Sequence, residues 1–175
     1  NLGAYGDAGI ITTNNKKYFK IIKSLRNLGS LKKFLHNRVG INSRLDSIQA
    51  AVLLHKLSML KENNNKRKKI ANFYRSKINN KNIEQLIYSK NSVYHQYVIL
   101  VKNRKKLIEL FLKNNIQFGF HYPYPIHKLK ALKKMFKNQK YPNAEKLAKK
   151  GFSLPIDPNL KKYEINKILK VVNSL

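Results

Sequence analysis

Cysteine is absent from this sequence of 175 residues. Its absence excludes a disulfide framework, a cysteine-rich zinc site and a thiol nucleophile, and it favours a reducing compartment, so the cytoplasm is the expected location. No apolar run approaches the roughly 20 residues of a membrane span, and no charged segment followed by an apolar stretch opens the chain. These absences predict a soluble protein with no membrane partner.

Acidic residues are scarce. The chain has 8 Asp and Glu against 37 Lys and Arg, which gives a formal net charge of +29. Such a charge favours nucleic-acid binding when it is gathered on one face, because neutralising phosphates releases counterions. Here lysine is spread over nearly every segment beside abundant asparagine, which is typical of a solvated surface. We therefore do not expect nucleic acid as a partner, although a basic nucleic-acid-binding module remains an alternative.

The pattern of apolar residues predicts an alternation of helices and strands. Residues 30–43 lack a period and are predicted to be a structured loop, and the SLPIDP stretch is predicted to be a loop between two helices. Residues 61–69 contain neither Gly nor Pro, so the longest helix is expected to continue through them. The predicted strands are 9–13, 93–101 and 116–120, and the predicted helices are 14–28, 45–78, 103–114, 143–150 and 161–172.

The glycine-rich opening, NLGAYGDAG, is a weak signal when it is taken alone. It lacks the GK[ST] ending of a Walker loop, and it does not have the GxGxxG spacing of a dinucleotide fingerprint. Glycines this close together make tight turns or anion-binding nests. By itself the segment predicts a turn that leads into a strand at Ile10.

Further motif blocks follow the glycine-rich opening in a fixed order. They are RNLG at 26–29, GINSRLDSIQAAVL at 40–53, YHQYVILV at 94–101, HYPYPIH at 121–127 and YPNAEKLAKKGFSLPIDPNL at 141–160. Taken together, the blocks resemble the DegT/StrS-type (DegT/DnrJ/StrS) family of pyridoxal-phosphate-dependent sugar aminotransferases. Ordered blocks that span nearly the whole chain are far more specific than any one of them.

The resemblance implies an α/β fold of fold-type I, of which this chain is a carboxyl-terminal part. Residues 1–44 would be a remnant of the large cofactor-binding domain, 45–78 a long connecting helix, and 79–175 a small α+β domain. The family's Schiff-base lysine would stand immediately before Asn1, so no lysine of this chain takes that role. The chain alone is therefore expected to be inactive.

The resemblance also implies the reaction and its participants. A homodimer with shared active sites would use pyridoxal 5′-phosphate to move an amino group, with glutamate as the expected donor, to a keto group of a nucleotide-activated sugar. Such a reaction belongs to amino-sugar and polysaccharide biosynthesis. A non-catalytic regulatory member of the same fold is the alternative, and the residue before Asn1 would discriminate, because any residue except lysine favours that alternative.

The GINSRLD block supplies two candidate site residues. Asn42 matches the family asparagine that reaches the cofactor phosphate of the neighbouring subunit, and a carboxamide can donate to a phosphate oxygen without carrying charge. The alternative is a turn or helix cap, with Ser43 as a rival cap. Arg44 would either contact the nucleotide pyrophosphate or pair with Asp46 or Asp7, and the sequence leaves this open.

The HYPYPIH block supplies the substrate candidates. His121 and Tyr122 match positions that face the nucleotide-linked sugar, where imidazole and phenol suit hydroxyl groups. The alternative is a proline-fixed turn with half-buried aromatic rings. His127 could suggest a metal pair with His121, but the lack of cysteine and the few carboxylates predict no metal site. His36, in the unpatterned loop, is either substrate-facing or merely exposed.

Overall fold

The computed structural model describes residues 1–137 and 139–175. They form two compact units. One consists of residues 2–60, and the other of residues 61–175 together with Asn1. The boundary lies inside the longest helix. The division of the whole protein at residues 44 and 78 stays a prediction.

The unit of residues 2–60 is built around a helix and a small hairpin. Its elements are α1 (Lys16–Leu25), β1 (Ser30–Lys32), β2 (Leu35–His36) and the first part of α2 (Ser47–Lys77). The Asn15 side chain begins α1 by accepting hydrogen bonds from the N–H groups of Lys17 and Tyr18, at 2.9 and 3.2 Å. A capping asparagine satisfies donors that the first helical turn leaves unpaired. The start of α1 therefore follows from its sequence.

Two predictions for this unit were wrong. Residues 9–13 form no strand, because a strand needs a hydrogen-bonding neighbour and none of the described residues pairs with this segment. Ile10 and Ile11 are accordingly 89% and 69% exposed. The predicted loop at 30–43 contains the antiparallel pair β1–β2, whose turn holds Phe34 at a φ of 68°. Helix α1 also ends three residues earlier than predicted.

Helix α2 continues without interruption through residues 61–69, as predicted. A surface ion pair between Lys66 and Glu62, with 2.7 Å between Nζ and Oε1, supports this polar stretch at i,i+4 spacing. The helix begins at Ser47, two residues later than expected, because its first i→i−4 bond runs from the Ala50 N–H to the Asp46 carbonyl. In the unit of residues 61–175, the apolar face of α2 is buried.

The unit of residues 61–175 holds a three-stranded antiparallel sheet in the order β3–β4–β5. Its strands are β3 (Ile83–Gln85), β4 (Tyr97–Val101) and β5 (Gly151–Leu154), and its helices are α3 (Arg104–Lys113), α4 (Pro142–Lys150) and α5 (Lys162–Asn173), with a short 3₁₀ turn at Ile126–Lys128. All five residues of the central strand β4 are buried. Burial on both faces explains why β4 carries an almost continuous apolar run.

The predictions for this unit were right for helices and less accurate for strands. Helices α3, α4 and α5 lie within one residue of their predicted bounds. Strand β4 covers only the second half of 93–101, and the predicted strand 116–120 is reduced to one bridge between Gly119 and Ser153. Strand β5 lies partly in the stretch predicted to be a loop, and β3 was not predicted.

The core of this unit lies between the sheet and its helices. Tyr74, Phe111 and Phe152 have no exposed surface, and the Phe111 and Phe152 rings meet edge to face with centroids 4.9 Å apart. The Tyr74 hydroxyl donates to the Pro155 carbonyl at 2.9 Å, which satisfies the buried phenol. In the part of the chain that the structure describes, no helix is both long enough and apolar enough to cross a membrane.

Candidate functional site

The RNLG and GINSR blocks form one backbone assembly in the unit of residues 2–60. The Leu28 N–H donates to the Ile41 carbonyl at 3.0 Å, the Ile41 N–H to the Leu25 carbonyl at 2.8 Å, and the Ser43 N–H to the Arg26 carbonyl at 2.9 Å. A further antiparallel bridge joins residues 27 and 42. The segment that carries Asn42 is therefore held against the end of α1.

Two glycines make this close backbone approach possible. Gly29 has a φ of +79°, and a Cβ built on it would lie 1.6 Å from the Arg38 carbonyl oxygen. A Cβ on Gly40 would lie 2.2 Å from the Gly29 nitrogen. No side chain fits at these distances, so both positions require glycine.

The Asn42 side chain is oriented by its neighbour Arg44. Arg44 Nε donates to Asn42 Oδ1 at 3.0 Å. Because a guanidinium group only donates, the oxygen of the carboxamide must face it and the NH₂ group faces away. The NH₂ group is therefore available to donate to an acceptor such as a phosphate oxygen.

The described contacts do not support the helix-cap alternative for Asn42 or the ion-pair alternative for Arg44. The Asp46 carbonyl accepts the first helical bond of α2, and the Asn42 side-chain oxygen accepts from Arg44 Nε, while no helix N–H among the described residues donates to the side chain of Asn42 or Ser43. Among residues 1–137 and 139–175, no ion pair joins Arg44 to Asp7 or Asp46. Within the described residues the terminal nitrogens of Arg44 make no side-chain hydrogen bond, so they can meet a ligand.

A polar cavity of about 310 Å³ adjoins Arg44. The glycine-rich segment and the GINSRLD block both line this cavity. Gln49 holds the glycine-rich segment in place, because its side chain accepts from the Tyr5 N–H at 2.9 Å and donates to the Tyr5 carbonyl at 2.6 Å. Gln49 was not among the predicted site residues, although it is the lone polar side chain in the stretch IQAAVL at 48–53, which was the available signal. The lining residues are Asp7, Ala8, Gly9, Ser43, Arg44, Leu45, Asp46 and Gln49.

His121 lies in the unit of residues 61–175 and is anchored through one ring nitrogen. Its Nδ1 is 2.8 Å from Ser153 Oγ on β5. Tyr122 is 73% exposed, and its ring meets the His121 ring edge to face at 5.3 Å. The alternative of half-buried rings is therefore wrong for Tyr122, which presents its phenol to solvent. Ser153 was missed by sequence reasoning.

His127 has a structural environment distinct from that of His121. It is buried, its ring lies 4.9 Å from the Tyr141 ring, and its Nε2 is 3.1 Å from Glu145 Oε1. Lys128 Nζ donates to the other Glu145 oxygen at 2.6 Å. Hydrogen bonding by Lys128, followed by that of His127, lowers the pKa of the Glu145 carboxyl group. This cluster ties the 3₁₀ turn to α4.

His36 is exposed, and its Nδ1 lies 2.9 Å from the Leu28 carbonyl oxygen. Within the described residues, no group of three His, Cys, Asp or Glu side chains is arranged to hold a metal ion. The absence of a metal site stays a prediction.

Asn1 makes a set of contacts that sequence reasoning did not anticipate. Its Nδ2 donates to Asn64 Oδ1 at 2.7 Å and to the Val93 carbonyl at 2.8 Å, and its Oδ1 lies 2.9 Å from His95 Nδ1. Because a carboxamide oxygen only accepts, His95 Nδ1 carries the proton in this bond. Burial lowers the pKa of His95, which favours the neutral ring. The motif block YHQYVILV thus supports the position of Asn1.

Comparison with known proteins gives one consistent assignment. Residues 1–173 match the DegT/DnrJ/EryC1/StrS aminotransferase family. A dTDP-3-amino-3,6-dideoxy-alpha-D-galactopyranose transaminase from Aneurinibacillus thermoaerophilus is 38% identical over 94% of this chain and 46% of its own length. A pleiotropic regulatory protein from Geobacillus stearothermophilus is 34% identical over 96% of this chain and 48% of its own.

A solved structure agrees with the sequence comparison. The X-ray structure of DesV from S. venezuelae in complex with a ketimine intermediate superposes with a TM-score of 0.90 at 30% identity, over 98% of this chain and 47% of that chain. The chain thus spans about half the length of the relatives it matches. The predicted partial fold of fold-type I is confirmed. Aminotransferases of this family depend on pyridoxal phosphate, and the chain belongs to the DegT/DnrJ/EryC1/StrS aminotransferase family.

Proposed function

We propose that the complete protein carrying this chain is an aminotransferase that acts on a nucleotide-linked keto sugar, with glutamate as amino donor. The observation that carries the proposal is the family match over residues 1–173. The relative from A. thermoaerophilus is named for a dTDP-linked amino sugar, which supports a substrate of that class. We also propose amino-sugar or polysaccharide biosynthesis as the pathway and the cytoplasm as the location, since a cysteine-free sequence suits a reducing compartment.

The residues present fit pyridoxal phosphate at its phosphate end. The Asn42 NH₂ group, turned outward by the bond between Arg44 Nε and Asn42 Oδ1, is a donor of the kind a phosphate oxygen accepts. We assign it to the cofactor of the neighbouring subunit in a homodimer. The bound cofactor supplies an electron sink for amino transfer. The lysine that holds it is proposed to precede Asn1.

The same chain supplies groups for the sugar nucleotide. The free nitrogens of Arg44 suit the pyrophosphate, because guanidinium groups bind phosphate oxygens in a bidentate manner. His121 offers Nε2, since its Nδ1 is bonded to Ser153, and Tyr122 offers an exposed phenol. We propose that these two side chains bind and orient sugar hydroxyls, so that the keto carbon lies where the amino group is delivered.

The exposure of apolar side chains within residues 1–44 supports the prediction that this segment belongs to a larger domain. Ile10, Phe34 and Val39 are 89%, 80% and 94% exposed. Few side chains of the unit of residues 2–60 are buried. Apolar surface on this scale is costly in water and is covered in a stable domain. We therefore propose that these residues complete the large domain of the whole protein.

The test is amino transfer by the complete protein. Loaded with pyridoxal phosphate and glutamate, it should convert a dTDP-linked 3-keto sugar to the amino sugar, detected by mass spectrometry. The isolated chain of 175 residues should show no transfer and no borohydride-fixable cofactor on any lysine. A covalent adduct on one lysine of the isolated chain would contradict the assignment of the lysine to a position before Asn1.

The non-catalytic regulatory alternative has one specific support, the name of the G. stearothermophilus relative. It would be favoured if the complete protein neither transferred an amino group nor carried lysine immediately before Asn1. Transfer to any nucleotide-linked keto sugar would exclude it.

A further inference from the structure

We propose that Ser153 and Gly119 are positioning residues for His121, which fix the imidazole so that only Nε2 is presented to the substrate. The proposal rests on the proposed function, because it takes the nucleotide-linked sugar as the ligand at Nε2. Neither residue would contact the sugar. Both would act through the orientation of the His121 ring.

Ser153 is an unusually fixed point of attachment. It is 3% exposed and lies within β5, where it pairs with Val98 of the central strand. On its other side it exchanges two backbone hydrogen bonds with Gly119, with N···O distances of 2.8 and 3.3 Å. Because Gly119 bonds both backbone polar groups of Ser153 and β4 lies beside it in the sheet, Ser153 has little freedom to move its hydroxyl group.

The hydroxyl of Ser153 is committed to the imidazole. Its Oγ lies 2.8 Å from His121 Nδ1, and no other side-chain hydrogen bond involves this Oγ in the described part of the chain. A buried hydroxyl requires a partner, so the bond is costly to lose. Once Nδ1 is bonded, the ring can still donate or accept only through Nε2. No protein partner of Nε2 lies among residues 1–137 and 139–175.

Gly119 sets the second constraint on the ring. A Cβ built on Gly119 would lie 2.8 Å from His121 Cε1 and 3.4 Å from its Nδ1. The imidazole therefore rests against the bare Cα of Gly119, and even a methyl group there would displace it. The backbone of Gly119 is not in the left-handed region, so its conformation does not require glycine. Glycine is required here because the imidazole ring approaches its Cα closely.

The two constraints restrict both translation and rotation of the imidazole. The bond to Ser153 fixes the direction of Nδ1, and contact with Gly119 fixes the face of the ring. A purely stabilising histidine would gain nothing from leaving Nε2 unbonded in a partly exposed position. A substrate-orienting histidine requires a fixed ring with an unbonded Nε2, because small displacements of a positioning group strongly reduce the rate of a reaction.

The test combines nitrogen NMR with kinetics of the complete protein. With ¹⁵N-labelled histidine, Ser153→Ala should shift the His121 Nδ1 signal, which His121→Ala assigns. The same variant should lower kcat/KM for the nucleotide-sugar half-reaction by roughly 10-fold. The half-reaction with the amino donor should keep its rate. Gly119→Ala should lower the sugar half-reaction similarly while leaving the Ser153 hydroxyl in place.

The control is Ser24→Ala, since Ser24 is also 3% exposed and its hydroxyl donates to the Ile21 carbonyl at 2.9 Å. It should change neither the His121 signal nor the sugar half-reaction. In the double variant with His121→Ala, Ser153→Ala should cause no further loss, because its effect passes through the ring.

Three results would overturn the proposal. They are an unchanged Nδ1 signal in Ser153→Ala, an unchanged sugar half-reaction, and equal slowing of both half-reactions. If the wild-type protein transfers no amino group to any nucleotide-linked sugar, the proposed function fails. An unshifted Nδ1 signal in active protein would instead refute only the positioning role.

Discussion

Replacement of Arg44 tests whether this residue orients Asn42. In the complete protein, Asn42→Ala removes one donor to a charged phosphate, a hydrogen bond worth about 1.5–3 kcal/mol. By that magnitude, the dissociation constant of pyridoxal phosphate should rise by roughly 10-fold to 150-fold. Arg44→Ala leaves the carboxamide in place and, in cofactor binding measured without a nucleotide sugar, removes the bond between Arg44 Nε and Asn42 Oδ1. Since both side chains are exposed, this orienting bond should contribute only about 0.5–1 kcal/mol, or roughly 2-fold to 5-fold in affinity.

Titration of the apoprotein with cofactor, followed by fluorescence or calorimetry, measures these constants. If Arg44 acts through Asn42, the double variant should bind the cofactor no more weakly than Asn42→Ala alone. Mixed dimers can be formed from one Asn42→Ala subunit and one subunit that lacks the cofactor lysine. They should recover one intact site, because Asn42 is proposed to serve the neighbouring subunit, so the first subunit supplies the lysine and the second supplies Asn42. Additive losses would refute the orienting role, and unchanged affinity in Asn42→Ala would reduce this residue to a turn position.

Three further predictions concern the unit of residues 61–175. His121→Ala should lower kcat/KM of the nucleotide-sugar half-reaction by roughly 10-fold to 100-fold and leave the amino-donor half-reaction unchanged, as measured by single-turnover kinetics. Equal slowing of the two half-reactions would contradict this prediction. The pKa of Glu145, which is hydrogen-bonded to Lys128, is lower in the folded protein than in the unfolded chain, so its ionised carboxylate stabilises the fold at pH values above the unfolded pKa of about 4.3. This contribution is lost as the pH falls through the lower pKa of the folded state. Glu145→Gln should therefore flatten the dependence of Tm on pH below about pH 5, and an unchanged profile would refute the ion pair's role. Tyr74→Phe should cost about 1–2 kcal/mol in urea unfolding, because it leaves the Pro155 carbonyl without its buried donor; no loss would mean that the carbonyl finds another partner.

The sequence by itself determined the helices and the family. The Asn15 cap, the lack of Gly and Pro in 61–69, and the apolar spacing of α5 are local signals, since helical hydrogen bonds join residues four positions apart. The ordered motif blocks were likewise readable in the chain, and the family they predicted is confirmed. The roles of Asn42 and His121 follow from those blocks and stay predictions.

Only the tertiary structure decided the strands and the surroundings of the candidate site residues. Strand β5 passes through a motif that reads as a loop, and residues 9–13 read as a strand without pairing, because strand hydrogen bonds are made to another segment that local pattern does not specify. The bond between Ser153 and His121 joins residues 32 positions apart. Contacts at such separations depend on how the whole chain folds back on itself. The sequence therefore indicated His121 as a candidate, and the tertiary structure identified Ser153 and Gly119 as the residues that contact it.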